Sequence, residues 1–117
     1  MRVIVCGSRR WRDRDRISDR LYHLVMEHGG DITIVHGAAQ GADRIAHQEA
    51  QKAGLLVEPH PADWGGLGKR AGLVRNTVMA SLGADLCVAF WDGRSTGTAH
   101  MMDEARKQGI PVEVVTG

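Results

Sequence analysis

A chain of 117 residues, 43% hydrophobic and 25% charged, has room for one globular domain with a real core and not for two. A net charge of +1 gives no bulk case for a nucleic-acid or membrane partner. No apolar run is long enough to cross a bilayer and Met1 to Val3 leads straight into a strand-like run, so a soluble, cytoplasmic domain with no membrane partner is expected.

Val3–Cys6 is a short apolar run that ends at Gly7, as a buried parallel strand would. Arg9 to Arg16 is polar and irregular. Ile17, Leu21, Leu24 and Val25 then recur at helical spacing until Gly29 and Gly30 stop them. Ile32–Val35 reads as a second strand. Ile45, Ala46, Ala50 and Ala53 mark the inner face of a second helix, and Leu55–Val57 a third, shorter strand. From Pro59 to Gly68 there is no periodicity, and a loop of that length in a compact domain covers a site or meets a partner. Ala71, Val74, Val78 and Leu82 predict the inner face of a third helix, capped by Gly83. Leu86–Phe90 is a fourth strand, Thr98 to Lys107 a fourth helix, and Val112–Val115 a fifth strand. Cys6 and Cys87 sit inside apolar runs and read as buried, reduced thiols.

Alternation of strand and helix predicts an α/β fold: a Rossmann-like three-layer sandwich with a mainly parallel five-stranded sheet. In such sheets ligands bind beyond the carboxyl ends of the strands, where the strand order reverses. Three glycine-bearing turns fall on that edge: Gly7-Ser8-Arg9, Gly37 to Gly41, and Asp92 to Thr98. Glycine lets backbone amides approach a ligand, and a helix N-terminus beyond such a turn suits an anion. Ser95, Thr96, Gly97 and Thr98 combine hydroxyls with a helix start, a phosphate cradle or, more plainly, an N-cap. Arg9 beside Gly7 is a candidate for the anion, whereas Arg12, Arg14 and Arg16 read as a solvated face paired with Asp13 and Asp15. Asp43 is either a helix-start acid or an acceptor for a ribose hydroxyl. Trp11, Trp64 and Trp91 all follow strands, where an indole can stack on a purine or plug a loop.

Several chemistries drop out. The first turn lacks the dinucleotide fingerprint, no Walker loop is present, and the six histidines have no metal spacing, so neither cofactor nor metal is expected. No nucleophile elbow exists, and Ser8 has no evident histidine partner.

Cys-Gly-Ser-Arg at 6–9, His-Gly-Ala-Ala-Gln-Gly-Ala-Asp at 36–43, Pro-Ala-Asp-Trp at 61–64, Gly-Lys-Arg-Ala-Gly-Leu-Val-Arg-Asn at 68–76 and Ser-Thr-Gly-Thr at 95–98 resemble the YspA-like (YAcAr) group of the SLOG superfamily. That superfamily also holds the Lonely Guy phosphoribohydrolases and the DNA-processing protein DprA. The resemblance implies a Rossmann-like fold that binds nucleotides or nucleotide-derived signals, with Gly7, Ser8, Arg9, Gly37, Gly41, Asp43, Ser95, Gly97 and Thr98 around the ligand. It adds polar contacts from Lys69, Arg75 and Asn76. The phosphoribohydrolases carry Pro-Gly-Gly-x-Gly-Thr-x-x-Glu with a catalytic Glu; here Arg94 and Ser95 fall on the paired glycines and Met101 on the Glu.

The resulting expectation is a sensor or sequestering module for a nucleoside phosphate or an ADP-ribose-like ligand. A second reading is cleavage of a nucleoside monophosphate at its N-glycosidic bond, with Asp43, Asp92 or Glu104 standing in for the missing Glu. A third is single-stranded DNA binding through the Arg9–Arg20 cluster and the tryptophans. By analogy with the superfamily, a homo-oligomer is expected, with the Trp64 to Leu67 loop as a contact.

Overall fold

The computed structural model covers residues 1–117. Its elements run β1 (Arg2–Gly7), α1 (Arg14–His28), β2 (Thr33–His36), α2 (Ala42–Lys52), β3 (Leu56–Pro59), α3 (Trp64–Leu67), a 3-10 turn (Gly68–Arg70), α4 (Ala71–Ser81), β4 (Leu86–Trp91), α5 (Thr96–Lys107) and β5 (Val112–Thr116). All strand pairings are parallel, in the order β3-β2-β1-β4-β5. The sheet therefore grows outward from β1 in one direction and from β4 in the other. Their junction is the place where the loops diverge and leave a crevice.

Side chains alternate across β1. Val3 and Val5 enter a core shared with Ile17, Leu21 and Leu24 of α1 and Ile45 and Ala46 of α2. Ile4 and Cys6 enter the opposite core, with Met79 and Ala80 of α4 and Met101, Met102 and Ala105 of α5. The sheet is thus covered on both faces, which is why its central strands read as continuous apolar runs. Cys6 and Cys87 are free, buried thiols with their sulfurs 3.9 Å apart. No helix is long and apolar enough to cross a membrane.

Two expectations need correction. The inner face of α4 is not Val74, Val78 and Leu82, which are 39%, 44% and 56% exposed; it is Ala71, Asn76, Met79 and Ala80. The helix keeps Ala71 inward but is turned by about a third of a revolution from its apolar stripe, because Asn76 hydrogen-bonds inward to α5 and small residues let the two helices approach. The stretch from Pro59 to Gly68 is not wholly loop. β3 extends to Pro59, and Asp63 caps the single turn of α3 by accepting from the Gly66 amide at 2.9 Å.

Candidate functional site

At the β1/β4 junction lies a cavity of about 580 Å³, walled by the loops after β1, β2 and β4 and by α4 and the start of α5. Hydrogen bonds between loops hold its rim. The Ser8 amide donates to the Phe90 carbonyl at 3.0 Å. The buried Ser8 hydroxyl donates to Asp92 at 2.9 Å and accepts from the Arg10 amide at 3.1 Å. The other oxygen of Asp92 takes the Arg94 and Ser95 amides, both at 2.8 Å. Those two amides, with the Ser8 hydroxyl, hold the Asp92 carboxylate below its ordinary range. Ser8 and Asp92 thus form a clasp between the β1 and β4 loops.

Gly41 behaves differently from its expectation. It does not line the cavity; its φ is +75°, and a Cβ there would lie 2.4 Å from the Ser8 carbonyl oxygen. That carbonyl accepts from the Ala42 amide at 3.2 Å, so the β1 loop itself occupies the start of α2. The helix terminus first expected to meet an anion is already covered.

The β2 loop is anchored from below. Asp43, only 5% exposed, accepts the Gly37 amide at 3.0 Å and the Ala39 amide at 3.3 Å through one oxygen. Burial pushes its carboxyl up to about 6, against the pull of those amides and of Arg75 and Arg9. Between them, the Ala38 amide donates to Nδ1 of His36 at 3.0 Å. Nδ1 is then the acceptor, so Nε2 carries the proton toward His47 Nδ1, 2.8 Å away. Burial, with His47, His60 and Arg75 adding to it, lowers His36 to about 4 and keeps it neutral.

Gly37 has a second role. A Cβ there would lie 2.5 Å from the Arg75 guanidinium, which donates to the Gly37 carbonyl and, through Nε, to Asn76 at 2.9 Å. Asn76 in turn donates to the Gly97 carbonyl at 3.3 Å. The chain of contacts from β2 through α4 to α5 holds Arg75 in the cavity wall.

At the far wall, Ser95 caps α5: its hydroxyl accepts the Thr98 amide at 3.3 Å and lies 2.9 Å from the Thr98 hydroxyl. The amides of Thr96 and Gly97, which also line the cavity, have no acceptor within the chain. They are the donors that an α-helix leaves free in its first turn. Around them stand Arg9, Arg10, Lys69, Arg75 and Arg94, against the carboxylates of Asp43 and Asp92. None of the five basic residues forms a salt bridge. The +1 net charge of the chain conceals this local excess.

Of the acids considered for catalysis, Asp43 and Asp92 line the cavity and Glu104 does not. Glu104 is paired with His100 at 3.2 Å and Lys107 at 3.7 Å. Met101, fully buried, contributes an apolar patch to the cavity. Trp11 is a core residue, edge-on to Phe90 at 5.5 Å, and Trp91 is half-buried with its indole nitrogen donating to the Ser95 carbonyl at 3.1 Å. Only Trp64, 51% exposed, reaches the cavity. Arg14 and Arg16 lie in α1, and their partners are not Asp13 and Asp15: Arg14 meets Glu49 at 3.7 Å and Arg16 the Thr116 carbonyl, while Asp13 caps α1. Arg10, Arg94 and Cys6 line the cavity as well, beyond the residues that the sequence points to; Arg94 lies inside the glycine turn, which is a signal for it. His36 lies beneath the β2 loop and is recognisable only from its partners.

Three comparisons with known proteins agree with this architecture. A family model described as the YspA, cpYpsA-related SLOG family matches residues 1–66. The gene 61 protein of Mycobacterium phage D29 is 47% identical over 116 residues, covering 95% of this chain and 93% of that protein. The X-ray structure of DNA processing protein A (DprA) from Streptococcus pneumoniae superposes with a TM-score of 0.75 at 20% identity, covering 99% of this chain. The chain spans 50% of that structure, and the likeness is one of fold. With the family model covering more than half of the chain and a close relative along nearly all of it, the chain belongs to the YAcAr family, the YspA- and cpYpsA-related branch of the SLOG proteins.

Proposed function

We propose that the chain binds a nucleotide or nucleotide-derived ligand by its phosphate at the carboxyl edge of the sheet, as a sensor or sequestering module. The observation that carries this reading is the cavity's electrostatic make-up: five basic side chains without a salt bridge line it together with two free amides of α5. Free amides, a helix's positive end and guanidinium groups each favour phosphate, and together they select it over a neutral ligand. In this reading Gly7, Ser8, Gly37 and Asn76 shape the pocket, while Arg9, Lys69, Arg75, Thr96 and Gly97 meet the anion.

The test is thermal denaturation against a panel of nucleoside mono- and diphosphates and ADP-ribose. At least one is expected to raise Tm by several degrees, and Arg9→Ala, an exposed position, is expected to remove most of the rise. No shift across the panel contradicts the reading. A single-stranded oligonucleotide belongs in the same panel: contact with many phosphates would make its binding fall steeply with salt, whereas a mononucleotide's falls gently.

One observation favours a second reading. Asp43 is a buried cavity carboxyl raised to about 6, the range of a general acid or base. Cleavage of the base–ribose bond would then release free base from AMP in the wild type and not in Asp43→Asn. Against it stand the two amides already held by that carboxylate and the apolar Met101.

A further inference from the structure

Beyond Arg9 and Trp64 the cavity continues into a second one of about 510 Å³. The two meet along Arg9, Gly37, Ala39, Trp64 and Arg75, so they are compartments of one groove. Their chemistry differs. The first holds Lys69, Arg94 and the open end of α5; the second has none of these and no carboxylate, and its own lining is Ala38, Gln40, Pro61 and Ala62. A phosphate suits the first compartment. The second offers it only Arg9 and Arg75 on the shared border.

Trp64 stands on that border. Unlike Trp11 and Trp91, it makes no indole hydrogen bond and belongs to neither core cluster. Its neighbours are the Arg9 guanidinium, 5.8 Å from the ring centroid, and Gly72 of α4, where a Cβ would lie 3.3 Å from the ring edge. The one-turn helix that carries it buries no residue. A half-exposed indole there contributes little to folding, since its apolar surface stays in water. A planar ring laid against it would remove that surface from water on both partners.

We propose that this second compartment, which Gln40 also lines, is a nucleobase subsite in which a planar heteroaromatic ring stacks on Trp64. The inference rests on the phosphate reading of the first compartment and adds that base and phosphate occupy different ends of one groove. The ligand class is then a nucleoside phosphate, preferred over a sugar phosphate that lacks the base.

Calorimetric titration of the intact chain with ribose 5-phosphate, AMP, GMP, CMP and UMP tests this, alongside Trp64→Leu, an exposed position whose folding is checked by its Tm. The nucleotides are expected to bind the wild type at least about 10-fold more tightly than ribose 5-phosphate, the scale of one aromatic stack. Trp64→Leu is expected to erase that advantage, costing the nucleotides at least about 10-fold more affinity than it costs ribose 5-phosphate. Equal binding of nucleotides and ribose 5-phosphate by the wild type overturns the subsite and leaves the phosphate reading standing, as does an equal loss for both in Trp64→Leu. Failure of every phosphate compound to bind overturns both.

Discussion

Two glycines of the β2 loop illustrate how similar residues differ in consequence. At Gly41 a side chain would meet backbone, the Ser8 and Arg9 carbonyls, at a positive φ; nothing flexible can yield. At Gly37 it would meet the guanidinium of Arg75, which can swing away. Gly41→Ala is therefore expected to cost about 2 to 4 kcal/mol in denaturant unfolding. Gly37→Ala is expected to cost less than half of that and to weaken phosphate binding at least about 10-fold, because it displaces a cavity cation. The reverse order in either measurement would contradict the assignment. From the sequence both glycines read as ligand-facing, because glycine spacing does not say which neighbour a missing side chain makes room for.

The acids and bases beneath the same loop carry a pH signature. Asp43, raised to about 6, prefers its protonated form in the fold; its contribution is full below the ordinary 3.8 and lost as pH rises through 6. His36, lowered to about 4, prefers its neutral form; its contribution is full above the ordinary 6.5 and lost as pH falls through 4. Between pH 4 and 6 the two oppose one another, and the wild-type Tm is expected to vary little over that range on their account. Asp43→Asn removes one side of the balance. Its Tm is expected to fall more steeply than the wild type's on acidification below pH 6, and at pH 8 the variant avoids a charge-burial cost on the order of 3 kcal/mol. Parallel Tm–pH profiles for the two proteins would contradict this.

Among the elements, α4 is where patterning and packing part company. Met79 is 2% exposed between the sheet and α5, whereas Val78 next to it is 44% exposed. Met79→Ala is expected to cost about 2 to 4 kcal/mol and Val78→Ala under about 0.5 kcal/mol in equilibrium unfolding. The reverse order, with Val78→Ala the costlier, would mean that the helix sits in the register its apolar stripe suggests. The stripe Val74, Val78 and Leu82 is a sound helix signal and a poor guide to orientation, since the inward face is set by Asn76, whose polarity makes it look like a surface residue. The strands were far more legible: Val3–Cys6 and Leu86–Phe90 are buried on both sides, so their composition alone gives them away. The turn at α3 was not, because its start depends on one Asp63 cap in a stretch rich in proline and glycine.

For the molecule as a whole, parallel topology gathers every strand's carboxyl end on one edge, and the reversal between β1 and β4 opens that edge into a groove. Three loops distant in sequence converge there because the sheet order allows no other arrangement. This much could be read from alternation and glycine placement. What could not be read was the distribution of charge: a near-neutral chain with five cations free of salt bridges lining the same cavity as one helix start. The most direct test is a backbone amide NMR titration of the chain with AMP. The account predicts that the largest shift changes fall on Thr96 and Gly97, with smaller ones around Gly37 and Arg9. Saturable changes centred elsewhere, on the outer face of α4 for instance, with Thr96 and Gly97 unmoved, would contradict it.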